Sequence, residues 1–293
     1  MKTKIFFLVL ISSFQILSAQ STKYSTAWFG PNANPVPEFT DVHIPSKTTV
    51  SLMGDSYFGY GDNTQNGFLK IEIPLLPKQV SIKLFSTILE SYQVTDAISA
   101  KRDMKGGNTT GKATGDIYIQ TRISLLKEKK NTPAIIFNST LKTASGSNFS
   151  ERRYFDTPGY YFDLEIGKSI YTKGKFISEI RSVLDAGFMC WETTESTQDD
   201  APMYGGKIII GNAKWKIENS VSGYFGWMHT NKYYSANYGD APTVYTLRFL
   251  ILTKEINYFV QYLYGINDFP YQQIRVGSSL QINKLTPKFN PSL

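Results

Sequence analysis

Few side chains in this sequence have the type and spacing that catalysis or tight metal binding would need. The run Gly106-Gly107-Asn108-Thr109-Thr110-Gly111-Lys112-Ala113 supplies the GxxxxGK of a phosphate-cradling loop, but Ala113 stands where a hydroxyl would hold magnesium. The preceding AKRDMKG is no buried strand and no helical pattern follows, so the run reads as a flexible external loop. Histidine occurs only at His43 and His229 and GxSxG is absent, which leaves a Ser-His-Asp hydrolase without a placed base or a nucleophile elbow. Cys190 stands alone between Met189 and Trp191, as a packed thiol with no disulfide partner. Asp199-Asp200, with Glu192 and Glu195 nearby, would suit calcium on composition, although a solvated acidic loop is the commoner arrangement. With neither CxxC nor HExxH, the sequence leads us to expect no catalytic residue, no cofactor and no metal centre.

The charges that carry information sit in the middle of strands. In GDIYIQTRISLLKEKKNTPAIIFNSTLKTAS, from Gly115 to Ser145, Ile117, Ile119, Thr121, Ile123 and Leu125 alternate with Tyr118, Gln120, Arg122 and Ser124. After the basic turn, Ile135, Phe137, Ser139 and Leu141 alternate with Ile136, Asn138, Thr140 and Lys142. A period of two means strands whose faces meet different surroundings. An apolar face backed by mid-strand Arg122 and Lys142 suits a membrane barrel, greasy outside and wet inside.

The same alternation predicts twelve strands, at about Val50 to Tyr60, Gly67 to Leu75, Gln79 to Val94, Asp116 to Leu126, Pro133 to Thr143, Tyr160 to Ile170, Lys175 to Trp191, Tyr204 to Asn212, Trp215 to Met228, Thr243 to Thr253, Ile256 to Gly265 and Gln272 to Lys284. Tight turns (76–78, 127–132, 171–174, 213–214, 254–255) alternate with long Gly-, Asn- and Thr-rich loops (96–115, 144–159, 192–203, 229–242). Short turns on one rim and long loops on the other are expected of an up-and-down antiparallel β-barrel of the bacterial outer membrane, with an even strand number and both termini periplasmic. A soluble sandwich or jelly roll is the rival. Several strands exceed ten residues, and aromatics gather near strand ends (Tyr57, Phe58 and Tyr60; Tyr160, Tyr161 and Phe162; Phe188 and Trp191; Tyr224, Phe225 and Trp227; Tyr258, Phe259, Tyr262 and Tyr264), which favours a barrel with aromatic girdles.

Export is written at the start of the chain. Lys2 and Lys4, the apolar run Ile5 to Ile11 and Ser18-Ala19-Gln20 have the three parts of a secretory signal, with cleavage expected after Ala19. The domains expected are therefore a signal peptide over 1–19, an irregular Pro- and Asn-rich periplasmic lead-in over 20–47 that folds into the barrel mouth or hangs below it, and a barrel over 48–293. The formal charge of +7 among 293 residues is scattered without a basic run, so nucleic acid is not an expected partner.

Carrying the parity through predicts a lumen lined by Lys70, Glu72, Lys83, Gln120, Arg122, Lys142, Asp163, Glu165, Glu179, Arg181, Asp185, Arg248, Gln261 and Arg275. A charge turned instead toward hydrocarbon at mid-membrane would cost roughly 2–4 kcal/mol. Such a lumen either passes a small hydrophobic or anionic solute or is sealed by cross-strand ion pairs as a scaffold whose outer loops bind a partner or surface polysaccharide. A membrane-embedded lipid-modifying enzyme is a third reading, for which His229 would be the only base near a loop.

The run Gly115-Asp116-Ile117 opening a strand, then Leu126-Lys127-Glu128, Pro133-Ala134-Ile135 and the closing Thr143-Ala144-Ser145-Gly146, resembles the outer-membrane family named for the meta-pathway of phenol degradation. That resemblance implies a β-barrel transporter and names no substrate. The LSAQ signal end and the abundance of Asn, Lys, Tyr and Phe are similar to outer-membrane proteins of Bacteroidetes-type bacteria. The partners implied are outer-membrane lipid and lipopolysaccharide, the barrel assembly machinery and a small-molecule solute. Many barrels end on an aromatic residue that this machinery reads, whereas here Phe289 is followed by Asn290-Pro291-Ser292-Leu293.

Overall fold

A computed structural model describes residues 26–151, 153–154, 156–193, 197–226 and 240–287. The leader with its cleavage site, His229, Trp227 and Phe289 lie outside the described residues. The strands are β1 (Thr48–Phe58), β2 (Asp62–Leu76), β3 (Val80–Val94), β4 (Thr110–Ala113), β5 (Tyr118–Leu126), β6 (Ala134–Lys142), β7 (Gly159–Tyr171), β8 (Glu179–Thr193), β9 (Thr197–Gly211), β10 (Trp215–Tyr224), β11 (Thr243–Ile251), β12 (Ile256–Asn267) and β13 (Gln272–Ile282). Among the described residues two short α-helices, α1 (Thr26–Phe29) and α2 (Asp96–Lys101), accompany them.

Every strand runs antiparallel to its neighbours, and β1 pairs with both β2 and β13, so that the sheet closes on itself. β4 pairs only with β3, so the ring is an all-β barrel of the twelve other strands. Closure removes the exposed edges that an open sheet of this size would leave. The twelve ring strands coincide with those expected from the alternation, because each keeps one apolar and one polar face over most of its length.

The turns between β2 and β3, β5 and β6, β7 and β8, β9 and β10, and β11 and β12 lie on one rim, where β1 also begins and β13 ends. The long connections lie on the other rim. Two of these differ from expectation. Residues 197–203, expected in a loop, extend the β8–β9 hairpin up to the Thr193↔Thr197 pair, since Trp191, Ala201 and Met203 pack together inside the ring. The stretch 96–101 forms α2, whose first turn is capped by Thr95 Oγ1 accepting from Ile98 N. The would-be phosphate loop contains β4, paired to Glu90–Gln93 and fixed by Asn148 Nδ2 donating to the Lys112 carbonyl at 3.2 Å.

Outward positions are apolar and exposed, including Leu52, Ile119, Leu164, Leu184, Leu247 and Val276. Among the described residues no helix is long and apolar enough to cross a membrane. The aromatic clusters divide between the two faces. Tyr160, Phe162, Tyr258, Tyr262 and Tyr264 face out, whereas Tyr57, Tyr161, Trp191 and Tyr224 are buried inside and belong to no girdle. The period of two explains this, because neighbouring aromatics on one strand must point to opposite faces.

Candidate functional site: the lumen and the strand of chain inside it

Alternation that turns Leu and Ile outward turns the charged and amide side chains inward, where a low dielectric requires each to find a partner. Arg122, on β5, is 1% exposed. Its Nη1 donates to Glu72 Oε1 at 2.6 Å and to the His43 carbonyl at 3.1 Å, and its Nη2 to Thr40 Oγ1 at 2.6 Å and Glu165 Oε2 at 3.3 Å. Arg275, on β13, forks onto Asp55 through Nε at 2.6 Å and Nη2 at 2.8 Å, and also pairs with Glu38. Such two-pronged pairs are the stronger kind. Lys70 Nζ lies 3.2 Å from Glu38, and Arg248 Nε donates to Gln261 Oε1 at 2.8 Å.

Nearer the short-turn rim, Arg181 donates to Glu128 Oε2 at 2.5 Å and Ser169 Oγ at 2.7 Å, while Glu179 meets Lys216 at 3.3 Å. Toward the other rim Lys142 pairs with Asp116 at 2.8 Å, and Gln120 donates to Thr140 Oγ1 at 2.8 Å. Asp163 accepts from Asn138 Nδ2 at 2.5 Å, and Asp185 stands opposite Glu165 in the β7–β8 register. These side chains turn to the inner side of the ring, and so does Lys83. Lys83 differs from the rest: its ammonium lies over the Phe85 ring at 5.5 Å, with no hydrogen bond and no carboxylate within 4.0 Å among the described residues.

Residues 26–47 run through this interior from rim to rim. At the long-loop end Thr26 Oγ1 donates to the Asp268 carbonyl at 2.9 Å, Tyr271 to the Thr26 carbonyl at 3.0 Å, and Arg102 Nε to the Ala27 carbonyl at 3.2 Å. Further down, Asn32 Nδ2 donates to Glu90 at 2.5 Å. Next, Lys207 donates to the Phe39 carbonyl at 2.8 Å, Thr40 N to Glu165 Oε1 at 2.7 Å, and Arg181 Nε to the Asp41 carbonyl at 2.7 Å. At the short-turn end Lys78 N reaches the Pro45 carbonyl at 3.5 Å.

An irregular segment has no ladder to satisfy its carbonyls, and here inward Arg and Lys side chains take that role. Phe39, Val42 and Ile44 pack on inward Ala134, Ile136, Val183 and Ile209. The seat needs glycine at two places. A Cβ on Gly205 would lie 2.5 Å from the Phe39 ring, and one on Gly167 2.7 Å from Val42.

The segment also carries charge. Burial alone would push the Glu38 carboxyl up, yet Lys70, Arg275 and Arg248 around it hold it well below the usual carboxylate range. A side-chain hydrogen bond to Asp41 raises His43 above the ordinary imidazole value, and the two side chains lie 3.3 Å apart. At the long-loop rim, Asp62 takes Arg102 at 2.6 Å and Arg153 at 2.9 Å, and Glu90 takes Arg153 at 2.6 Å. These fully buried pairs fold the outer connections down over the head of the segment.

Beside the upper part of the segment lies a cavity of about 130 Å³, walled by strands from all round the ring and lined by Tyr118, Tyr161, Trp191, Phe85, Phe68 and Lys83 among others. The aromatic wall was foreseen only in part, because the sequence positions of Tyr161 and Trp191 suited a girdle. Parity with Gln120 and Arg122 turns Tyr118 inward, whereas Tyr161 and Trp191 group with a girdle and only parity with Asp163 and Asp185 would have turned them inward. Lys207 and Glu218 carry the same alternation signal as the residues expected in the lumen, and Glu38 carries none, since residues 20–47 have no period.

No protein-family model and no curated protein sequence matches the chain. Among solved structures, the chain is similar to the COG4313 outer membrane channel from Pseudomonas putida F1, with 9% identity and a TM-score of 0.55 over 84% of this chain and 100% of that one. It is also similar to the NanC porin, with 9% identity and a TM-score of 0.51 over 80% of this chain and 100% of that one. At such identities the likeness is one of fold, and the chain has the closed twelve-stranded architecture of outer-membrane channel barrels.

Proposed function

We propose that this chain is an exported outer-membrane channel for a small solute, held closed at rest by residues 26–47. The observation that carries this reading is a charged lumen inside an apolar exterior, filled by an irregular segment that the ring holds through side chains rather than strand pairing. Such a filler can shift without breaking a single ladder hydrogen bond of the barrel. In this reading the leader directs export, the short-turn rim faces the periplasm, and the long connections face the exterior, as in single-chain barrels generally. No catalytic step is involved. The hairpin resemblance to the meta-pathway family and the likeness to solved channel barrels support the same reading.

The test is conductance in planar bilayers of the full chain and of a variant lacking 26–44. The full chain should pass small or infrequent currents, and the deletion should raise the current severalfold. No current from either protein would overturn the channel and leave the sealed scaffold, a reading favoured by the extensive ion pairing of the lumen.

A further inference from the structure

We propose that the cavity beside the upper half of the internal segment is a binding site for a small amphipathic carboxylate, a single anionic group on an apolar body about one ring in size, with Lys83 as its counter-ion. This names the solute class of the proposed channel and rests on that reading only for access to the site.

Three observations converge. Lys83 is only 5% exposed, lines the cavity, and among the described residues has no carboxylate or hydrogen-bond acceptor on its ammonium. Every other cation on the cavity wall is engaged: Lys70 and Arg275 by Glu38, Lys207 and Arg248 by Glu218. The wall carries five cationic and three carboxylate side chains, and one of the three, Asp116, is itself matched by Lys142 outside the wall. The local field therefore favours an anion. Secondly, Trp191 is buried on the same wall, and its indole Nε1–H has no hydrogen-bond partner among the described residues. A buried donor without a partner costs free energy that an acceptor would recover. Thirdly, one part of the wall is aromatic, with Phe85 stacked on Tyr118 at 4.9 Å and 9°, and Phe85 next to Phe68 at 6.3 Å.

Size narrows the ligand. A cavity of about 130 Å³ is close to the ~150 Å³ that takes one benzene ring. A neutral ring would fill the space and leave Lys83 unanswered.

Benzoate serves as the probe and benzamide as its neutral counterpart, titrated by calorimetry against the full chain folded in detergent. Benzoate should bind about 10- to 100-fold more tightly than benzamide. Lys83→Met should remove that preference and leave the heat-dependent gel mobility of a folded barrel unchanged. Trp191→Phe should abolish the benzoate-induced change in tryptophan emission and weaken binding about tenfold or less. Equal affinity for benzoate and benzamide, or undiminished benzoate binding by a folded Lys83→Met protein, would overturn the assignment. Current without benzoate binding would sink the site and keep the channel. Binding without current, even after deletion of 26–44, would keep the site and sink the channel.

Discussion

The internal segment has two halves that meet the same barrel in different ways. Over 38–44 its carbonyls accept from Lys207, Arg181 and Arg122, its Thr40 donates to Glu165, and its apolar side chains sit on inward Ile136, Val183 and Ile209. Over 31–37 it contains Pro31, Pro35 and Pro37, each without an N–H to donate, and it borders a cavity whose Lys83 has no hydrogen-bond or ion-pair partner among the described residues. Cations that grip the chain seal the lumen, and a cation left without a partner marks the place kept for something else. Fully paired buried charge holds an element in position, while unpaired buried charge is a standing demand for a ligand.

The contrast is sharpest between two methionine substitutions. Arg122→Met strands Glu72 and Glu165 and should lower stability by about 3–5 kcal/mol, read from the urea midpoint of refolding into lipid vesicles. Lys83→Met strands nothing, and its midpoint should match or exceed that of the parent. Equal losses for both would erase the distinction between the two halves. A smaller effect tests the other face of the ring. Leu184, 63% exposed beside the buried Val183, should cost about 2–4 kcal/mol when changed to Arg, by the same titration.

Gly205→Val presses a side chain into the Phe39 ring and should cost about 1–3 kcal/mol, with more frequent openings in a bilayer as the lower seat loosens. Openings unchanged from the parent would mean that the seat does not hold the segment. The smallest effect is expected from pH. His43 is raised above its ordinary 6.5 by Asp41, so the pair's contribution is complete below that value and is lost as pH rises through the raised one. Openings should therefore increase modestly from about pH 6 to about pH 8, because the imidazole is 57% exposed and well screened. His43→Gln should flatten this dependence.

The ring was legible in the sequence and its filling was not. Alternation such as Ile117/Tyr118/Ile119/Gln120 reports local geometry, and every ring strand carries it. The path of 26–47 is set by partners far along the chain, such as Thr26 with Asp268, Asp41 with Arg181 and Glu38 with Arg275. No window of neighbouring residues contains that information. Aromatics misled for a related reason: Tyr160 and Tyr161 look alike as letters, and only the register separates the outward one from the cavity wall.

The pairing of β1 with β13 bears on biogenesis. The first strand must await the last one synthesised before the circle can be completed, and by then residues 26–47 have long been available. The staves can thus be assembled around this core as a cooper raises a cask around a form, with no step in which a free end is pulled through a finished hole. A chain shortened by those residues would have to complete its circle without the form, and its yield of folded protein would report how far construction depends on it.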